Sequence, residues 1–145
     1  MNGNDVTTGQ APPRRVSIVT PFYNEAGVVA IYFARLGEVL RPLSARIEFE
    51  FVCVNDGSSD GTLAELRSVR LPFGRIVVVD LARNFGKEAA LSAGLDHATG
   101  DAVIPMDADL QDPPELVPRM IERWLAGAPV VLAVREDRRS DGWVK

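Results

Sequence analysis

Short apolar runs alternate with helical patterns along the chain, and this alternation limits the fold more than any other feature. Five runs predict β-strands: Val16 to Thr20, Phe49 to Val54, Arg75 to Asp80, Ala102 to Met106 and Val130 to Val134. Most are nearly continuously apolar, which is typical of parallel strands covered on both faces. Because crossovers between parallel strands are almost always right-handed, the order predicts an open, mostly parallel α/β sheet with helices on both faces.

Three helices are predicted between the first four strands. The first carries an apolar residue at every fourth position from Val28 to Leu40, and a second, shorter helix follows Thr62. The third extends from about Lys87 to Ala98. It carries small residues that permit close packing on the sheet, namely Ala89, Ala90, Ala93 and Gly94.

A fourth helix is predicted after the fourth strand. Asp112 is the expected N-cap, Pro113 or Pro114 the expected first helical residue, and Glu115 lies three residues after the cap. The residues expected to fill its buried face are Leu116, Met120, Ile121, Trp124 and Leu125.

The 145 residues suit one domain. Residues 1 to 15 are expected to form a flexible lead-in, and residues 16 to 145 the folded domain. The net charge of -4 lacks the basic character of nucleic-acid-binding proteins, so no nucleic-acid partner is expected. Cys53, the single cysteine, is expected in a buried strand, and His97 on the surface. No apolar run approaches the ~20 residues of a membrane-spanning helix.

Unusual polar residues follow each predicted strand. Open α/β sheets bind ligands outside the carboxyl ends of their strands, so five loops are expected to converge on one rim. The five segments are Pro21 to Glu25, Asn55 to Ser58, Arg83 to Lys87, Asp107 to Asp112, and Arg135 with Arg138.

The segment after the fourth strand predicts a cation site. If it is extended, alternate side chains share a face, so Asp107, Asp109 and Gln111 point toward one spot. Hard oxygen ligands suit Mg²⁺ or Mn²⁺, and Mg²⁺ takes one or two carboxylates with water and substrate phosphates. A phosphorylated ligand is therefore implied. The alternative is an ordinary acidic loop.

The other loops have two interpretations each. Asp56 can accept hydrogen bonds from a base or ribose, or its loop can serve only as a turn. Arg83 and Lys87, near a helix N-terminus, can contact a diphosphate or sugar, or lie on a solvated turn. Arg135 and Arg138 can face phosphate, or belong to a charged surface.

Four motifs occur together and in order: Pro21-x-Tyr23-Asn24-Glu25, Val54-Asn55-Asp56-Gly57-Ser58, Arg83-Asn84-Phe85-Gly86-Lys87-Glu88 and Met106-Asp107-Ala108-Asp109-Leu110-Gln111-Asp112-Pro113. This set resembles the family 2 glycosyltransferases of GT-A fold, and within them the polyprenyl-phosphate hexosyltransferases, from about Val16 to Lys145. The bactoprenol glucosyltransferases are the most similar group, and the dolichol-phosphate mannose synthases are the next.

The resemblance turns the loop residues into candidates for particular roles. The candidate nucleotide-sugar-binding residues are Pro21, Tyr23, Asn24, Glu25, Asp56, Arg83, Lys87, Asp107, Ala108 and Asp109. The candidate ligands of Mg²⁺ or Mn²⁺ are Asp107, Asp109 and Gln111. The candidate catalytic residues are Asp109, Arg135 and Arg138.

The activity implied by the resemblance is an inverting hexose transfer, with UDP-glucose as the expected donor and a polyprenyl (undecaprenyl) phosphate as the acceptor. A phosphate monoester is largely dianionic at neutral pH, so its oxygen can attack without a general base. Cell-envelope glycan modification is the expected role. A soluble enzyme acting on a saccharide hydroxyl is one alternative, and a non-catalytic nucleotide-binding or scaffolding module is another.

Family members continue beyond the point that corresponds to Lys145, usually with two membrane-spanning helices. The chain is therefore expected to be a truncated cytoplasmic domain of a protein held in the inner or plasma membrane. One interpretation is that this domain is inactive alone. The oligomeric state is left open, and a homo-oligomer is one alternative.

Overall fold

The computed structural model describes residues 14–129, which form one parallel sheet with helices on both faces. The four strands are β1 (Arg14–Phe22), β2 (Ile47–Asn55), β3 (Arg75–Asp80) and β4 (Ala102–Pro105). Their order is β3-β2-β1-β4, and every neighbouring pair is parallel. The chain therefore adds strands on one side of β1 and then crosses to the other side, so β1 and β4 flank the point where the strand order reverses.

Within residues 14–129, four α-helices cover the sheet. Their bounds are α1 (Val28–Leu40), α2 (Thr62–Ser68), α3 (Lys87–His97) and α4 (Leu116–Leu125), and a short 3₁₀ turn at Arg41–Leu43 follows α1. None of the helices within residues 14–129 is both long and apolar enough to cross a membrane.

The larger part of the core lies on the sheet face covered by α1, α2 and α4. Tyr32 and Phe33 of α1 meet at 5.1 Å between ring centroids, and Phe33 meets Phe51 of β2 at 5.8 Å, both edge to face. Burial of such rings supplies the main stabilisation of this face, and edge-to-face contacts add to it. Cys53 is also buried here, as expected, and burial raises the pKa of its thiol to about 12.

The opposite face is covered by α3, which lies unusually close to the sheet. A Cβ atom on Gly94 would come within 2.4 Å of Val19 Cγ1 and 2.9 Å of Val54 Cγ2, so only glycine permits this approach. Ala90 is fully buried beside it, whereas Ala89 is exposed. The predicted close packing of α3 is confirmed for Ala90 and Gly94 and is wrong for Ala89.

The four predicted strands that fall within residues 14–129 are found, with shifts at some of their ends. The third strand has its predicted bounds; β1 and β2 begin two residues earlier than expected, and β4 ends one residue earlier, at Pro105. The predicted strand from Val130 to Val134 and residues 1 to 13 of the predicted lead-in lie outside the described residues. His97 is on the surface, as expected.

The predicted start of α4 is wrong. The helix begins at Leu116 rather than at Pro113 or Pro114, its N-cap position is Glu115, and Asp112 lies outside it. A residue that precedes proline is disfavoured in the helical region, which disfavours Pro113 as the first helical residue before Pro114. Backbone hydrogen bonds from Leu116 N–H to the Pro113 carbonyl (3.0 Å) and from Val117 N–H to the Pro114 carbonyl (3.0 Å) form the turns that lead into the helix.

The buried face of α4 also differs from the prediction. Val117 and Ile121 are its buried residues, and Val117 was not expected there. Met120, Trp124 and Leu125 pack against the core while partly exposed.

A buried carboxylate, Glu50 in β2, connects elements near the amino ends of the strands. It accepts hydrogen bonds from the Thr99 N–H (2.8 Å), the Thr99 hydroxyl (2.7 Å) and the Ser17 hydroxyl (2.8 Å), and Arg75 lies 2.6 Å away. Burial opposes the charged form, but these hydrogen bonds outweigh it and lower the pKa of Glu50 from 4.5 to about 2. Sequence patterns did not reveal this network, which fixes the turn before β4.

Candidate functional site

A cleft of about 190 Å³ lies at the carboxyl ends of the strands, where the strand order reverses. Parallel α/β sheets bind ligands at this position because the loops there diverge and leave a crevice. Segments following all four described strands contribute to its walls. The lining residues are Pro21, Tyr23, Glu25, Asp56, Asn84, Gly86, Lys87, Asp107, Ala108 and Asp109.

The segment after β1 is shaped by Asn24, which adopts a left-handed conformation with φ of 48°. Asn24 N–H donates to the Ser58 hydroxyl (3.0 Å), and its side-chain oxygen accepts from Ser59 N–H (2.8 Å). Asn24 thus joins the segments that follow β1 and β2. Its side chain is engaged in that junction and does not line the cleft, whereas neighbouring Tyr23 lines the cleft and is half-exposed.

Glu25 is held at the cleft by its backbone. Its N–H donates to the buried Thr62 hydroxyl at 2.8 Å, at the start of α2. Partial burial, together with the negative charges of Asp109 and Asp60, raises the pKa of Glu25. The charge of Asp109 is thus felt by Glu25, which also lines the cleft.

Asp56, directly after β2, holds the segment that leads into α3. Its Oδ1 accepts a hydrogen bond from Phe85 N–H (2.8 Å), and its Oδ2 accepts one from Gly86 N–H (3.1 Å). The Asn84 side-chain amide lies 3.3 Å from Oδ2 as well. Only 2% of Asp56 is exposed, so this carboxylate both lines the cleft and organises one of its walls.

Gly57 permits the close contact between the same two segments. Its φ is +68°, and a Cβ atom there would lie 2.2 Å from the Arg83 carbonyl carbon and 2.2 Å from the Asn84 nitrogen. Both the left-handed conformation and the missing side chain are therefore required.

The side chain of Arg83 contacts Phe85 and does not line the cleft. Its guanidinium carbon lies 4.3 Å from the centroid of the Phe85 ring, which is half-exposed. The structure therefore places Arg83 outside the cleft, and Asn84 and Gly86 of the same motif inside it. These two residues were not among the predicted site residues, although they lie between two that were.

Lys87 and Asp107, which both line the cleft, form an ion pair with 2.6 Å between Lys87 Nζ and Asp107 Oδ1. Lys87 is the first residue of α3, and Asp107 lies two residues after the end of β4. The hydrogen bond to Asp107, supported by the charges of Asp107, Asp109 and Asp112, raises the pKa of Lys87. A positive charge is thus attracted to this end of the acidic segment.

The acidic segment after β4 is not extended, so that expectation is wrong. Leu110 adopts a left-handed conformation with φ of 56°, and Gln111 N–H turns back to donate to Asp109 Oδ1 at 3.1 Å. Strand alternation therefore does not bring Gln111 to the face of Asp107 and Asp109. Gln111 is exposed and lies outside the cleft lining, whereas the two aspartates are within it.

Two carboxylates of the cleft are of the kind that hold a divalent cation. Within residues 14–129 no three His, Cys, Asp or Glu side chains are grouped closely enough to hold a metal by themselves. Two carboxylates, Asp107 and Asp109, line the cleft together, and the ammonium of Lys87 already contacts one of them. Mg²⁺ and Mn²⁺ favour such oxygen donors, and Mg²⁺ usually completes its shell with water and substrate phosphates.

Most of the predicted site residues come together in this one cleft. Those that line it are Pro21, Tyr23, Glu25, Asp56, Lys87, Asp107, Ala108 and Asp109. Three other predicted residues are close in sequence to lining residues but do not line the cleft: Asn24, Arg83 and Gln111. Arg135 and Arg138 lie outside the described residues.

Comparison with known proteins identifies one family in both sequence searches. The model of the family described as "Glycosyl transferase family 2" matches residues 17–145. The chain is 48% identical over 133 residues to the bactoprenol glucosyl transferase of Shigella phage SfX, covering 90% of this chain and 42% of that protein. It is 41% identical over 129 residues to an undecaprenyl-phosphate 4-deoxy-4-formamido-L-arabinose transferase of Pseudomonas paraeruginosa. This match covers 88% of this chain and 38% of that protein. The chain thus spans less than half the length of these relatives.

A solved structure with the same fold contains GDP-Man and Mn²⁺. The mannosyltransferase PcManGT of Pyrobaculum calidifontis, in complex with GDP-Man and Mn²⁺, matches with a TM-score of 0.64 and 29% identity. The match covers 83% of this chain and 34% of that one. The expected α/β GT-A architecture is confirmed by this likeness.

Proposed function

This chain belongs to glycosyl transferase family 2, and from that membership we propose that it transfers a hexose from a nucleotide sugar to a polyprenyl phosphate. UDP-glucose is the proposed donor and undecaprenyl phosphate the proposed acceptor. The observation that carries the proposal is the cleft in which Tyr23, Asp56, Lys87 and Asp109 meet at the point of strand reversal. Aromatic, acidic and basic groups in one crevice match the three parts of such a donor: base, ribose and diphosphate.

The proposed donor site divides along the cleft. Tyr23 and Asp56 lie on the side of β1 and β2, where a half-exposed ring offers a stacking surface and a carboxylate can accept hydrogen bonds. Lys87, Asp107 and Asp109 lie on the side of α3 and β4. We place the nucleoside against the first group and the diphosphate against the second.

Asp107 and Asp109 are the proposed ligands of Mg²⁺ or Mn²⁺, and Gln111 stays a proposed ligand that would have to turn toward them. When bound, the cation would neutralise the negative charge that develops on the departing diphosphate. Lys87, at the N-terminus of α3, would contribute in the same direction, because the helix dipole also favours an anion there.

The transfer is proposed to invert the anomeric configuration in one displacement. An oxygen of the acceptor phosphate forms the new bond to the anomeric carbon while the bond to the nucleoside diphosphate breaks. The dianionic phosphate needs no base to remove a proton. Arg135 and Arg138 remain proposed contacts of the diphosphate or of the acceptor phosphate.

The names of the relatives support the choice of acceptor. Bactoprenol and undecaprenyl phosphate appear in the names of proteins 48% and 41% identical to this chain. A lipid acceptor requires the reaction to occur at a membrane surface, so we propose a position on the cytoplasmic face of the inner or plasma membrane, with cell-envelope glycan modification as the role.

The direct test is a transfer assay on the full-length protein. Radiolabelled UDP-glucose and Mn²⁺ are incubated with undecaprenyl phosphate in detergent, and the organic phase is analysed for labelled lipid. The proposal predicts a labelled lipid phosphate diester. Parallel reactions with GDP-mannose test the donor, and reactions with free saccharides test a hydroxyl acceptor. Label in a saccharide alone would overturn the acceptor, and no transfer to any acceptor would favour a binding module.

A further inference from the structure

We propose that Lys87 is a resident counter-ion of the cleft: its ammonium neutralises Asp107 until a divalent cation and the donor bind, and then moves to the donor diphosphate. The inference rests on the proposed function, because it assumes a metal-bound nucleotide in this cleft. In this inference Lys87 exchanges one partner, Asp107, for another, the donor diphosphate, and does not keep a fixed contact with either.

The geometry of the pair fits an exchangeable contact. Lys87 Nζ lies 2.6 Å from Asp107 Oδ1, within the range of a charge-assisted hydrogen bond. The two side chains are 65% and 33% exposed, and ion pairs with this degree of exposure contribute little net stability. A cation that binds Asp107 more strongly therefore displaces the ammonium at small cost.

The lysine has space on both sides. It lines the cleft at the carboxyl ends of the strands with Asp107 and Asp109, and it also lines a second cavity of about 80 Å³ with Asp107, Leu91 and Asp112. Both partners of the ion pair line each of these two spaces. Because the Lys87 side chain is 65% exposed, its four-carbon stem can turn about the α3 terminus without displacing the core.

The position of Lys87 in its helix points to an anionic partner. It is the first residue of α3, where the helix dipole disfavours a positive charge. The contact with Asp107 offsets this cost when the donor is absent. A diphosphate in the cleft would offset it equally, since both the lysine and the helix terminus attract negative charge.

The choice of lysine is itself unusual in this chain. Of the 16 basic residues only Lys87 and Lys145 are lysines, and the other 14 are arginines. An ammonium is a compact point charge with three donors, closer in shape to a metal ion than a planar guanidinium is. The ammonium of Lys87 can thus occupy the position at Asp107 that a divalent cation would take in the proposed site.

The exchange predicts opposite effects on two ligands. Replacing Lys87 with Met removes a competitor for Asp107, so Mn²⁺ alone binds about fivefold more tightly. The same change removes a cation from the diphosphate site, so UDP binds about tenfold more weakly at saturating Mn²⁺. A variant that merely disturbed the cleft would weaken both ligands.

The experiment titrates the full-length protein with MnCl₂, following free Mn²⁺ by electron paramagnetic resonance, and titrates UDP by calorimetry at saturating Mn²⁺. The variants are Lys87→Met, Lys87→Arg and Arg123→Met, and circular dichroism checks that each is folded. Lys87→Arg keeps the charge and is expected to stay within about twofold of the wild type for Mn²⁺. Arg123→Met removes an exposed charge on α4 and should alter neither affinity.

Tighter Mn²⁺ binding with weaker UDP binding in Lys87→Met supports the inference. Unchanged or weaker Mn²⁺ binding in that variant overturns it, and the proposed function stands if the wild type still needs Mn²⁺ to bind UDP. If wild-type UDP binding is the same with and without Mn²⁺, the metal-dependent part of the proposed function fails and the inference fails with it.

Discussion

Asp56 Oδ1 lies 2.8 Å from the backbone nitrogen of Phe85, whose N–H donates to it, and this hydrogen bond ties the end of β2 to the segment that leads into α3. The second carboxylate oxygen accepts from Gly86 N–H at 3.1 Å. One buried side chain therefore positions the wall that carries Asn84, Gly86 and Lys87. The shape of the donor site depends on it before any ligand is bound.

Asp56→Asn should lower both stability and donor affinity. An amide has one acceptor oxygen, so either Phe85 N–H or Gly86 N–H would face an NH₂ group and lose its partner. An unsatisfied buried donor costs about 1–3 kcal/mol. Urea denaturation measures the free energy of unfolding, and calorimetry with UDP measures the affinity.

Asp96→Asn is the matched control, because Asp96 is exposed on α3. This substitution makes the same chemical change at a position outside the cleft. It should change the free energy of unfolding by no more than about 0.5 kcal/mol. Equal effects of the two variants would show that the buried hydrogen bonds of Asp56 do not organise the site.

Gly57→Ala should disrupt the junction between the β2 and α3 segments. The new Cβ would meet the backbone of Arg83 and Asn84 at 2.2 Å, and the residue would hold a φ of +68° that alanine disfavours. We expect a loss of at least about 2 kcal/mol in the free energy of unfolding. Thermal and urea denaturation of the variant measure this loss.

Two other glycines separate the causes of that loss. Gly61→Ala has an ordinary φ of -77° and no heavy atom within 4 Å of the new Cβ, so it should be nearly neutral. Gly27→Ala has a φ of +83° and the same open space, so it should show the backbone cost alone. If Gly57→Ala is no worse than Gly27→Ala, the close approach of the two segments is not a constraint.

Much of the fold could be predicted because it follows from local pattern. Tyr32, Leu36 and Leu40 of the predicted α1 stripe are buried, whereas Val28 is half-buried. The strand at Arg75–Asp80 has its predicted bounds. Both follow from periodicity, which depends only on nearby residues. The convergence of the loops followed from the geometry of parallel sheets. Eight of the predicted cleft residues line the cleft for that reason.

The remainder depends on contacts that pattern does not show. Gln111 leaves the predicted face because its N–H binds Asp109 and Leu110 adopts a left-handed conformation. Pro114 disfavours a helical conformation at Pro113, one of the two predicted starts of α4, and the helix begins at Leu116. Glu50 is buried only because Ser17, Thr99 and Arg75, distant in sequence, meet it in the folded chain.

Glu50→Gln should be destabilising in a pH-dependent way. The pKa of Glu50 is about 2 in the folded protein, below its ordinary 4.5, so its contribution is complete above about pH 5 and is lost as the pH falls toward 2. We expect the variant to be less stable at pH 7 by on the order of 3 kcal/mol, and the difference to shrink by pH 3. Urea denaturation at several pH values measures the difference.

Glu48→Gln provides the comparison, because Glu48 pairs with Arg15 at 2.7 Å and its side chain is 46% exposed. Exposed pairs contribute about 0–1 kcal/mol, so this variant should show a small and nearly constant effect. A pH-independent loss in Glu50→Gln would mean that its charge is not what stabilises the turn before β4.

The central claim, a nucleotide sugar held through a cation on the acidic segment, is tested most directly by titrating UDP-glucose into the wild type and Asp109→Asn with and without Mn²⁺. Asparagine keeps the oxygen that accepts from Gln111 N–H and removes the charge. The account predicts that the variant binds at least about tenfold more weakly with Mn²⁺ and like the wild type without it. An equal loss under both conditions, or no loss in either, would contradict it.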